Sequence, residues 1–195
     1  SGDFKAFQRI EDLPLVARRA RRPGEEIRKL LGVAPDQRLG LVSFGGFGLA
    51  DCDFSALAEL SDWVFLAEAE LAGAAPNLVP IPSAAVAYPE LVAAADVVIT
   101  KPGYGIVSEC LANDTAILYT SRGEFPEQER LVAGLKRYGR ALEIDNQRLR
   151  QGRWREALAE LLALPKPTAG IDCGGDIVAA DRLAHLAGGK IAGIS

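Results

Sequence analysis

A chain of 195 residues, 49% hydrophobic and 25% charged, has the length and composition of one soluble domain with a core large enough to be stable. A formal charge of −4 argues against nucleic acid as a general partner, and no apolar run approaches the roughly 18 to 20 residues of a membrane span. Cys52, Cys110 and Cys173 are far apart and form no C-x-x-C pair, which argues against a disulfide framework or a zinc site and reads as three reduced thiols acting as small apolar residues.

Residues 1–22 lack a clean period and carry Arg18, Arg19, Arg21 and Arg22, so they read as a leading segment or linker whose natural contacts lie outside the chain. Glu25 and Glu26 offset this basic cluster, which makes a solvated face its plain reading and anionic lipid heads or a neighbouring domain its functional one. The spacing then predicts a helix over 23–31, with early acids, late bases and Gly32 as the stop, and a buried strand over 39–44. Further strands are expected at 63–67, 78–81, 96–100 and 115–120, and helices packed on a sheet at 88–95, 105–113, 126–138, 153–164 and 176–186, with a loop at 165–175. The alternation predicts an α/β, Rossmann-like, mainly parallel sheet with helices on both faces, in a single domain over 23–195.

In such a sheet, ligands bind beyond the carboxyl ends of the strands, so the residues after each strand carry the information. The first such loop is Ser43-Phe44-Gly45-Gly46-Phe47-Gly48, whose glycines let backbone N–H groups approach a phosphate or sugar oxygen or, equally, make a tight turn. It matches neither the dinucleotide fingerprint nor a P-loop, so nicotinamide and ATP readings fall. The second runs from Lys101 through Pro102, Gly103, Tyr104, Gly105 and Ser108 to Glu109. A helix start preceded by a lysine suits a diphosphate, and Glu109 in the second turn suits two adjacent hydroxyls, as in a ribose, or merely the helix dipole. The third loop, 121–128, places Glu127 and Gln128 at a helix start, either as sugar-hydroxyl ligands or as an acidic helix N-terminus.

These loops, in this order, resemble the C-terminal, nucleotide-sugar-binding domain of GT-B glycosyltransferases. The likeness is to a family 28-like domain, the family that includes the N-acetylglucosaminyltransferase of lipid II synthesis. It spans residues 23–185, and its most specific part is 95–109, where 101–109 has the length of the nine-residue donor core of plant-type transferases. The segment around Lys101 and Tyr104 is also similar to the transferase-like half of plant sugar kinases. The resemblance implies that Lys101 replaces a phosphate-contacting histidine and that Glu109 binds the ribose hydroxyls. It further implies that Glu127 and Gln128 touch the donor sugar, that Ser43, Gly45, Gly46 and Phe47 lie near the diphosphate, and that the backbone at Ile81 reads the base. Ala116 departs from the family's usual proline, and the acidic-Gln pair lies a couple of residues further along than in plant enzymes.

The implied function is binding of a nucleotide diphosphate sugar, by default a UDP-sugar, for metal-independent transfer to an acceptor. No cofactor is expected, and His185, the sole histidine, is assigned a structural role. The acceptor site and general base are expected on an N-terminal domain or partner subunit absent from this chain, which alone is expected to be inactive. A non-catalytic sugar-nucleotide-binding or regulatory domain is the alternative. The absence of a secretory signal pattern gives a cytoplasmic expectation, with peripheral contact at the inner membrane face.

Overall fold

The structure is a computed structural model that describes residues 10–45, 49, 52–82, 86–121, 123 and 128–191. Strands β1 (Arg38–Ser43), β2 (Trp63–Ala67), β3 (Leu78–Pro80), β4 (Val97–Thr100), β5 (Ala116–Tyr119) and β6 (Ala141–Glu143) form one sheet in the order β3-β2-β1-β4-β5-β6. Every neighbouring pair is parallel. The helices are α1 (Gly24–Leu30), α2 (Tyr88–Ala94), α3 (Tyr104–Ala112), α4 (Gln128–Tyr138), α5 (Asn146–Arg150), α6 (Arg155–Ala163) and α7 (Gly175–Ile191), with a 3-10 turn at Ser55–Glu59. The chain order reverses between β1 and β4, which makes the carboxyl ends of these two strands the topological switch point.

The central strands are apolar throughout because both of their faces are covered. Successive side chains alternate between two cores: Val97, Ile99, Ala116 and Leu118 enter one, while Val98, Ile117 and Tyr119 enter the other. The first core is closed by Phe54, Leu57, Trp154, Leu158 and Leu161, and the second by Ile27, Leu91, Val92, Val107, Leu131 and Leu135. In the first, Phe65 stacks on Trp63 at 5.4 Å and meets Trp154 edge-on at 5.2 Å. The Trp154 indole N–H donates to Leu149 O at 2.9 Å, so this large side chain is buried without an unmet donor.

Asp96, the first of two acids in the 95–109 segment, lies at the amino end of β4, away from the switch point. Its Oδ2 accepts from the Leu39 N–H at 2.7 Å and from the Arg28 guanidinium, which also donates to Ala94 O and Gln37 O. That carboxylate pins α1, β1 and β4 together, which explains an acid before an apolar strand without any ligand.

The backbone of residues 15–22 lies against the chain, while Arg18, Arg19 and Arg21 are exposed, as the solvated reading of the basic cluster expects. Leu15 exchanges backbone hydrogen bonds with Asp172 and Gly175, Ala20 N donates to Asn113 Oδ1 at 2.9 Å, and Arg22 donates bidentately to Glu90 at 3.0 and 2.6 Å. The last helix, expected to pack on the sheet, is exposed at Ile177, Leu183, His185 and Leu186. Cys110 and Cys173 are buried and Cys52 is half-buried, and none of the three is in a disulfide. Among the described residues no helix is long and apolar enough to cross a membrane.

Candidate functional site

The site begins with the pairing of the two strands that flank the switch point. Ser43 and Thr100, the last residues of β1 and β4, are register partners, and the Thr100 hydroxyl donates to Ser43 O at 2.5 Å. Their loops therefore leave the sheet side by side. Gly45, at φ +60°, turns the first loop through the left-handed region, where an added Cβ is strained even though the surrounding space is open. Across the switch point, Lys101 Nζ stands 5.9 Å from the centre of the Phe44 ring, a cation–π arrangement that ties one loop to the other.

From Lys101 the chain passes through Pro102 and extended Gly103 into α3. The N-cap residue, Gly103, has no side chain to cap this helix, so among the described residues its N-terminal N–H groups and dipole face the same edge as Lys101. Gly105 leaves open space above the first turn, and the buried Ser108 donates back to Gly105 O at 2.9 Å. Tyr104 is 43% exposed at the mouth of the loop. Glu109 comes five residues after Tyr104, about 7.5 Å further along the axis, and is 4% exposed. Its carboxylate meets Arg18, and with Lys101 and the start of α3 it lies within one nine-residue stretch that leaves the carboxyl end of β4.

Beyond β5, the Thr120 N–H donates to Thr100 O at 3.1 Å, which fixes the third loop beside the second. Ser121 Oγ accepts from the Gly123 N–H and from Gln128 Nε2 at 2.9 Å, holding Gln128 at the start of α4. Ile81 follows β3 on the same carboxyl edge, two strand positions from β1, or about 10 Å. Its N–H donates to Ala67 O at 2.8 Å, so of its two backbone groups the N–H is already engaged within the sheet. Ser43, Gly45, Ile81, Lys101, Gly103, Tyr104, Gly105, Ser108, Glu109 and Gln128 therefore all lie along one edge or on the helix rising from it. Gly46, Phe47 and Glu127 lie outside the described residues.

Two contacts at this site have no signal in the sequence. Tyr88, at the start of α2, shares a hydrogen bond with the Ser43 hydroxyl. Burial raises its phenol pKa above the ordinary value, the bond to Ser43 opposes this, and the neighbouring Cys110, Glu109 and Glu68 add to it. Arg18 forms an ion pair with Glu109 and brings the leading segment onto α3. Contacts across 45 and 91 positions cannot be read from local spacing.

Among curated proteins, L-arabinokinase of Arabidopsis thaliana is 30% identical over 176 residues, covering 89% of this chain and 17% of that protein. No protein-family model matches the chain. Among solved structures, the glycotransferase of kitacinnamycin superposes with a TM-score of 0.52 at 24% identity, over 78% of this chain and 40% of that one. The glycosyltransferase VinC in complex with dTDP gives 0.51 at 18% identity, over 76% of this chain and 37% of that one. The fold is that of a GT-B glycosyltransferase domain. The chain spans less than half of each of these proteins.

Proposed function

We propose that the chain is the donor-binding half of a glycosyltransferase, which holds a nucleotide diphosphate sugar, by default a UDP-sugar, for transfer to an acceptor. The observation that carries this reading is the alignment of Lys101, the uncapped start of α3 and the buried Glu109 at the β1/β4 switch point. In the proposed pose the diphosphate lies on the helix start beside Lys101 and the Gly45 turn. The ribose hydroxyls donate to Glu109, the sugar approaches Gln128, and the base lies toward Ile81.

Transfer breaks the bond between the anomeric carbon and the diphosphate oxygen, leaving negative charge on the phosphate. Lys101 and the N–H groups at Gly103 and Tyr104 are fixed where that charge develops, so it is stabilised without reorganisation and without a metal. The base that deprotonates the acceptor is assigned to a second domain or subunit, a reading supported by the chain's spanning less than half of the GT-B proteins it superposes on.

A second reading, a non-catalytic sugar-nucleotide-binding module, is favoured by the relative named as a kinase, of which this chain matches only 17%. Thermal unfolding with nucleoside diphosphates tests the element common to both readings. At about 100 times Kd a ligand adds about 2.7 kcal/mol, which raises the midpoint of a domain this size by about 5 °C or more. No shift with UDP, dTDP, GDP or ADP would refute both. Binding by a longer protein that shows no transferase or sugar-nucleotide hydrolysis activity, with or without EDTA, selects the second.

A further inference from the structure

We propose that Arg18 gates the ribose subsite: its guanidinium competes with the vicinal hydroxyls of a nucleoside diphosphate for the Glu109 carboxylate. This rests on the donor-binding reading of Glu109 and adds a regulatory contact to it.

The pair is asymmetric. Arg18 Nε and Nη2 both address Oε1 of Glu109, yet the Arg18 side chain is 68% exposed while that of Glu109 is 6% exposed. A buried carboxylate needs a partner, whereas an exposed arginine loses little by returning to water. Two ribose hydroxyls can donate to the same carboxylate, so exchange keeps the acid hydrogen-bonded while its counter-charge returns to water.

The backbone on either side of Arg18 is held in place. Upstream, Leu15 and Val16 pair with residues 172–175. Asn113, one helical turn beyond Glu109, accepts from Ala20 N and donates to Arg18 O at 3.1 Å, and Arg22 is bidentate on Glu90. Only the Arg18 side chain has to move, and the segment remains docked as the gate opens. Arg18 also lines a cleft of about 810 Å³ with Asp172 and Asp176, two acids on the side of the released guanidinium.

The test is calorimetric titration of the 195-residue chain and its Arg18→Ala variant with UDP, GDP and ADP and with the 2′,3′-dideoxy form of each. The readout is the affinity ratio of ribose to dideoxyribose ligand, which removes any general effect of the lost charge on phosphate binding. A gate that is closed nine-tenths of the time lowers apparent affinity about tenfold, so the ratio is expected to rise about tenfold in Arg18→Ala. An unchanged or lower ratio, with the wild-type chain still binding nucleotide, overturns the gate and leaves the donor reading intact. No nucleoside diphosphate binding by either protein overturns both. Because Arg18→Ala leaves the buried Glu109 carboxylate without its ion-pair partner, the variant is expected to unfold at a lower temperature than wild type, and the titrations are run where both proteins are folded.

Discussion

Lys101 Nζ sits 5.9 Å from the centre of the Phe44 ring, so the cation that follows β4 is positioned by an aromatic that follows β1. This contact spans the switch point and keeps the ammonium over the edge where a phosphate would lie. Lys101→Ala should weaken UDP binding by about tenfold to a hundredfold, the size of a lost hydrogen bond to a charged group. Uridine, which has no phosphate, should bind both proteins equally. Parallel titrations of the two ligands check this, and an equal loss for both would show that Lys101 shapes the loop rather than meeting the phosphate.

Glu109 addresses the other end of the same ligand. Glu109→Gln keeps the shape of the side chain but weakens its acceptor, and should reduce UDP affinity by about 1 to 3 kcal/mol. Inorganic pyrophosphate, which has no ribose, should bind wild type and variant alike. A loss of pyrophosphate binding in the variant would remove the ribose assignment.

Glu90 gives a pH dependence of stability. Hydrogen bonds from Arg22, and secondarily from the Ala87 N–H, hold its carboxyl at about 2 in the folded chain, against an ordinary value of 4.5. A group whose folded pKa is depressed contributes its full stability above the unfolded value and loses it as pH falls through the folded one. The unfolding midpoint should therefore fall between about pH 4.5 and 2 more steeply in wild type than in Glu90→Gln. Identical slopes for the two proteins over that window would remove this pair as a contributor to acid stability.

Gly40 lies mid-strand in β1, where an added Cβ would come within 2.4 Å of the Phe65 ring. Phe65 is itself held between Trp63 and Trp154, so it has little room to yield. Gly40→Ala should cost about 1 to 3 kcal/mol by overpacking, measured by denaturant unfolding. A neutral result would mean that the aromatic row shifts as a unit.

Much of this architecture was legible in the sequence because central parallel strands are continuously apolar. Val97–Thr100 and Ala116–Tyr119 fall inside their expected ranges, shorter by one residue at one end or both. Strand β6 was not legible: Ala141-Leu142-Glu143 is three residues long, only Ala141 is buried, and no alternation develops over that length. The 3-10 turn at Ser55–Glu59 and the short α5 fail for the same reason. At the site, the helix start after Lys101 was readable because lysine, glycine and glutamate lie within nine residues of one another. The pairings of Tyr88 with Ser43 and Arg18 with Glu109 were not, because tertiary folding alone brings them together. Asp96, just before β4, is a structural clasp through its hydrogen bonds to Leu39 and Arg28, which local spacing also does not show.

The measurement that bears most directly on the donor-binding account is calorimetric titration of the chain with UDP, dTDP, GDP and ADP, alongside Glu109→Ala. The account predicts selective binding of one nucleoside diphosphate, weakened in the variant by about 1 to 3 kcal/mol. Binding of the same nucleotide with equal affinity by both proteins, or binding of none, would contradict it.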